Sequence, residues 1–131
     1  MLFHTFSSQD ERRKFGGSYF IEIQYCSLDP GTAMEQIVSI DAIPHWKDDS
    51  LYIYGDDEEA FASQYGDILT DGTYNNGQSG IMDMYGINYY APHQIHIIVK
   101  QIEEMRPSGH QMFLVWLKKV REHNGFYVLG L

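Results

Sequence analysis

The sequence predicts an α+β fold, a largely antiparallel sheet with helices packed on one face, in a single globular domain over 1–131. Three observations carry this. Residues 18–28, SYFIEIQYCSL, alternate: Tyr19, Ile21, Ile23 and Tyr25 fall on one face, and Phe20, Glu22, Gln24 and Cys26 on the other, more polar one. One buried and one wetter face is the pattern of an antiparallel strand. Further on, apolar residues recur at helical spacing, as Ile95, Ile98, Val99, Ile102 and Met105, then as Met112, Phe113, Trp116, Leu117 and Val120. Finally, the elements follow the order β-β-α-β-α-(β)-α-α-β without internal repeat or linker, an order of the α+β class. A length of 131 residues with 44% hydrophobic and 15% aromatic content suits one folded core.

Residues 2–7 alternate imperfectly and are expected to form a short strand, paired with 18–28 as a hairpin. Ser7–Gly17 is polar and ends in two glycines, so it reads as a loop with Arg12, Arg13 and Lys14 at a solvated tip. Asp29-Pro30-Gly31 is a turn. Thr32 and Glu35 match a capping box, which predicts a helix over 33–42. A strand there, with Val38, Ile40 and Ala42 on one face, remains an alternative, and Pro44 ends either element. Leu51–Tyr54 is a short strand. Asp56, Asp57, Glu58 and Glu59 open a helix that Gly66 ends. Residues 66–80 are rich in Gly, Asn, Asp and Ser and read as a long loop. Residues 81–90 suggest an edge strand. Pro92 starts a helix that Arg106-Pro107 stops. Ser108 caps the last helix, which is apolar nearly all round and is expected to be the most buried. Lys118, Lys119 and Arg121 suit its C-terminal dipole, and 126–130 form a closing strand.

The chemistry is mostly defined by what is missing. The single cysteine, Cys26, cannot form an internal disulfide and suits a reducing compartment. No apolar run approaches the roughly 18 residues that span a bilayer, and residues 1–15 lack the basic-then-apolar order of a signal peptide. A cytoplasmic location is expected. A net charge of −9 opposes direct contact with nucleic acid or an anionic membrane. His93 and His96 lie on the polar side of a helix near Lys100. His45, beside Trp46, Asp48 and Asp49, is the better ligand candidate, yet no HExxH or Cys-His pattern accompanies either. Asp67, Asp71 and Gly72 hint at a calcium loop, but Leu69 and Gln78 occupy positions that need oxygen ligands and a bidentate Glu. Nucleophile elbow, phosphate loop and dinucleotide fingerprint are all absent. No catalytic residue, cofactor or metal is expected.

The charge is unevenly placed. Residues 41–83 hold ten of the 18 acidic residues and one of the nine basic ones, so this third carries the whole net charge. Aromatics are interleaved with it. The candidate partner-binding residues are Trp46, Asp48, Asp49, Tyr52, Tyr54, Asp56, Asp57, Glu58, Glu59, Asp67, Asp71 and Tyr74. Helix capping is the competing account of the cluster at 56–59.

The stretches WKDDSLYIYGDDEEAF (46–61), YGINYYAP (85–92) and WLKKVREHNGFYVLGL (116–131) resemble small acidic bacterial immunity proteins of contact-dependent or polymorphic toxin systems. The resemblance implies a cytoplasmic, non-enzymatic inhibitor that binds and neutralises a toxin, commonly a nuclease. A nuclease presents a basic cleft to phosphate, and an acidic surface with tyrosines competes for it. A small enzyme or metal-dependent domain using Asp and His, and an acidic adaptor without a toxin partner, are the alternatives.

Overall fold

A computed structural model describes residues 1–17 and 19–130. In chain order the elements are α1 (Gln9–Gly16), β1 (Phe20–Tyr25), α2 (Met34–Ile37), β2 (Leu51–Tyr54), α3 (Glu58–Tyr65), β3 (Gly72–Thr73), β4 (Ser79–Gly80), β5 (Ile87–Tyr90), α4 (Ile95–Met105), α5 (His110–Lys118) and β6 (Phe126–Leu129), joined in places by short 3₁₀ turns. The strands make one antiparallel sheet in the order β2-β1-β6-β5-β3-β4. This is the α+β architecture that the sequence predicts. The C-terminal strand β6 lies inside the sheet, pairing Tyr25 with Phe126 on one side and Tyr90 with Phe126 on the other.

On one face, Ile21, Ile23, Tyr25, Leu51, Ile53, Phe126 and Val128 meet Phe61 and Tyr65 of α3, Ile98 and Ile102 of α4, and Phe113, Trp116 and Leu117 of α5. Trp116 is buried there, stacked on Tyr25 with ring centroids 3.9 Å apart. Its indole N–H donates to the Asp49 carbonyl at 2.8 Å. Val115, on the far side of α5, is exposed. The opposite face, expected to be wetter, is covered too. Cys26, Tyr89 and Tyr127 pack against Ile37 and Val38, while Phe20 and Tyr52 pack against Phe6, with Trp46 and Tyr54 beside them. β1 is therefore buried on both sides along its whole length.

Several elements depart from expectation. Residues 2–7 form no hairpin with β1. His4 instead makes a single bridge to Tyr52, each backbone N–H reaching the other's carbonyl at 2.8 Å, and Phe3 drops into the core. The predicted loop 7–17 is mostly α1. Ser8 caps it by accepting from the Glu11 N–H at 3.1 Å, and Glu11 accepts in return from the Ser7 N–H at 2.8 Å. The 33–42 segment is neither a long helix nor a strand but one turn at 34–37 and a 3₁₀ turn at 40–42. Thr32 does not cap it; its hydroxyl donates to the Asp29 carbonyl at 2.6 Å. The long loop holds the small β3–β4 hairpin, and β5 lies between β6 and β3 rather than at an edge. Tyr19, expected on the buried face, is exposed, and Ser18, expected to begin that strand, lies outside the described residues. Among the described residues, no helix is long and apolar enough to cross a membrane.

Candidate functional site: an acidic, aromatic end of the sheet

Antiparallel pairing brings the ends of β2 and β6 to the starts of β1 and β5: Phe20 faces Tyr54, and Leu129 lies across from both Glu22 and Ile87. The residues just beyond these pairs therefore gather at one end of the sheet. From β2 the chain turns through Gly55, Asp56 and Asp57 into α3, where Glu58 and Glu59 occupy the first turn. The Gly55 N–H donates to the Tyr19 carbonyl at 2.8 Å. The Tyr19 ring lies so close that a Cβ on Gly55 would fall 1.6 Å from its Cδ2, so any other residue there would displace the ring. From β5, the Tyr85 N–H donates to the Asp83 carboxylate at 2.9 Å. The Glu58 carboxylate beside the Tyr85 hydroxyl raises the phenol above its ordinary pKa, and the nearby Tyr19 acts in the same direction. Phe15 at the end of α1 completes the group, its ring centroid 4.7 Å from that of His4 and 5.9 Å from that of Tyr54. Burial lowers the His4 imidazole, while Asp57 pulls it the other way.

This end is open to solvent. Tyr85 is 72% exposed, and Tyr19 and Phe15 are each 52% exposed. Asp56, Glu59 and Asp83 are exposed beside them, with Asp57 and Glu58 half-buried. The capping account does not explain the cluster fully. Asp57 stands at the N-cap of α3, yet its side chain makes no capping hydrogen bond.

The remaining predicted residues lie elsewhere. Asp48 and Asp49 precede the other end of β2, a strand roughly 13 Å long at about 3.3 Å per residue. There they border a hollow with Trp116, Lys119 and His123. Asp71 opens β3, four strand steps from β2, roughly 19 Å at about 4.8 Å per step. Its N–H donates to Gly80 at 2.9 Å, and its carbonyl accepts from Gln94 at 3.0 Å. Asp67 is exposed in the connection from α3 to β3. Tyr74 is half-buried with its hydroxyl on the Ile81 carbonyl. Tyr52 must be corrected outright. It is 0% exposed and serves the second face as a packing residue, its hydroxyl donating to the Lys47 carbonyl at 2.7 Å. Trp46 stacks on Tyr52 at 5.5 Å and is half-buried on that face. Of the twelve residues, the sheet end brings together Tyr54, Asp56, Asp57, Glu58 and Glu59.

Phe15, Tyr19, Asp83 and Tyr85 belong to this site and were not among the candidates. Tyr19 and Tyr85 sit next to turn segments rich in glycine, where an aromatic side chain has little to pack on. That neighbourhood is the available sequence signal. Among the described residues, no three His, Cys, Asp or Glu side chains converge as a metal site. No protein-family model, curated protein or solved structure matches the chain.

Proposed function

We propose that the chain is a non-enzymatic, immunity-type inhibitor that binds a basic toxin, in the first instance a nuclease, through the acidic aromatic end of its sheet. The observation that supports this best is the exposed Tyr85 beside Tyr19 and Glu58, the last of these in the 41–83 stretch that holds the net negative charge. Exposed tyrosines are the usual anchors of an interface, and surrounding carboxylates steer a cationic partner and match its charge. The toxin's basic phosphate-binding cleft is the complementary surface. Residence in the cytoplasm, where such a toxin acts, is part of the same proposal.

The test is binding to, and protection from, the product of the adjacent gene. Tyr85→Ala should weaken binding by about 2 kcal/mol, roughly thirtyfold, if Tyr85 is an anchor. Asp56→Lys with Glu58→Lys should slow association. Asp48→Lys with Asp49→Lys, at the far end of β2, should change little. Equal effects of the two charge reversals, with Tyr85→Ala silent, would remove the sheet end from the interface.

A further inference from the structure

The second face of the sheet holds a charged pair that the proposed interface does not use. Arg12 on α1 is 8% exposed and Glu22 on β1 is 5% exposed. The Arg12 guanidinium carbon lies 5.4 Å from the Tyr52 ring centroid, 5.7 Å from Trp46 and 5.9 Å from Phe20. This aromatic cage stabilises the cation. It leaves the Arg12 Nε–H, which is buried, without a hydrogen-bond acceptor. Glu22 takes all its side-chain hydrogen bonds on one oxygen. Ser50 Oγ donates to its Oε2 at 2.6 Å, Gln24 Nε2 donates to it at 3.1 Å, and the Tyr52 hydroxyl lies 3.1 Å from it. None of these bonds reaches Oε1. Arg12 and Glu22 both line a cavity of about 470 Å³, whose other walls include Ile40, Ile43, Ile87 and Leu129. Ile40, Ile87 and Leu129 also line an adjoining hollow of about 340 Å³.

We propose that this cavity binds a free α-amino acid with an aliphatic side chain. The ligand carboxylate accepts from Arg12, its ammonium donates to Oε1 of Glu22, and its side chain lies against the isoleucines and Leu129. Charge and shape both select this class. A buried cation and a buried acid, each with an unused site, are matched by a ligand that carries one charge of each sign. A simple anion would satisfy Arg12 while facing Glu22. Arg12 lies over the rings of Phe20, Trp46 and Tyr52 that would stack a nucleobase, and Ile40, Ile43, Ile87 and Leu129 give the cavity an aliphatic wall. The cavity volume lies within the range of small-ligand sites. Arg13 also lines it and adds a second positive charge.

Calorimetric titration of the whole chain with L-leucine and L-isoleucine tests this without the toxin. One-to-one saturable binding is expected. N-acetyl-L-leucine, which lacks the ammonium, and L-leucinamide, which lacks the carboxylate, should each bind roughly tenfold to a hundredfold more weakly. Glu22→Gln should weaken L-leucine by about tenfold and leave N-acetyl-L-leucine unchanged, since the lost charge has no partner there. Ile40 is 67% exposed, so Ile40→Glu should leave the fold intact while placing a charge on the apolar wall, and should abolish binding. If Glu22→Gln does not fold, the ligand series on the unaltered chain and Ile40→Glu decide. No heat with either amino acid at millimolar concentration, or binding indifferent to blocking both termini, overturns the proposal.

Discussion

Glu22 shows how one side chain changes the reading of a strand. In the sequence, Glu22 and Gln24 mark a wet face. In the structure, both are buried, because each supplies part of the other's hydrogen bonding and Ser50 and Tyr52 complete it for Glu22. Polarity along a strand reports chemistry, and a small internal network can remove that chemistry from water. Burial raises the Glu22 carboxyl above its ordinary 4.5, against the opposing effects of its three hydrogen bonds and of Arg12. The folded state therefore holds the proton more tightly than the unfolded chain. The stability this contributes is fully present below pH 4.5 and is lost as pH rises through the raised folded value. Glu22→Gln keeps an acceptor for Ser50 and has no proton to lose. Urea unfolding of both proteins across pH 4 to 7 should show wild type losing stability relative to Glu22→Gln as pH rises. Parallel curves would show that Glu22 titrates alike in both states.

The helices and strands were legible in proportion to how much apolar surface each one buries. α4 and α5 carry strong apolar stripes and stand where the spacing predicts them. Trp116 is central to α5, and Trp116→Ala should cost about 3–5 kcal/mol by leaving a cavity against Tyr25 and Phe126. Chemical denaturation reads this directly, and a midpoint near wild type would show that the site closes around the loss. α1 was illegible for the opposite reason. Its one buried residue is Arg12, so it has no apolar stripe to read. Its start carries a signal: Ser8 and Glu11 have capping-box spacing, and Ser8 accepts from the Glu11 N–H, although the Glu11 carboxylate takes the N–H and hydroxyl of Ser7 rather than the N–H of Ser8. Ser8→Ala should cost about 1 kcal/mol. Because α1 holds Arg12 over the second face, the Arg12 cage should loosen with it, visible as a change in Trp46 fluorescence. The 33–42 segment misled because its apolar residues serve a covering role, with Ile37 and Val38 pressing on Tyr127 and Tyr89 rather than lining a helix face. The apolar run at 126–130 suits a strand inside the sheet, where β6 stands, but nothing local says that its neighbours are the first and fifth strands.

That same topology explains why the site was only half legible. Charge density along the chain picked out 41–83, but a sheet sends consecutive residues to opposite ends and opposite edges. Asp48 and Asp49 go to one end of β2, Asp56 to Glu59 to the other, and Asp71 to β3, next to the far edge strand. Tyr19 and Tyr85 lie far apart in sequence and come together only because β1 and β5 start at the same end of the sheet. The negative field is consequently spread over the molecule, while the exposed tyrosines are confined to one end. The two parts of recognition should then separate experimentally. Long-range attraction sums over all the acids, so association with a basic toxin should slow as salt rises from low concentration, with screening nearly complete beyond about 8 Å at 0.15 M. Short-range anchoring belongs to the sheet end, so Tyr85→Ala should act mainly on dissociation and keep the salt dependence of wild type. Asp56→Lys with Glu58→Lys should reduce both the association rate and its salt slope. Stopped-flow association and surface-based dissociation measurements over a salt series distinguish these effects. A Tyr85→Ala variant that loses the salt slope while dissociating at the wild-type rate would place the anchor elsewhere on the acidic surface.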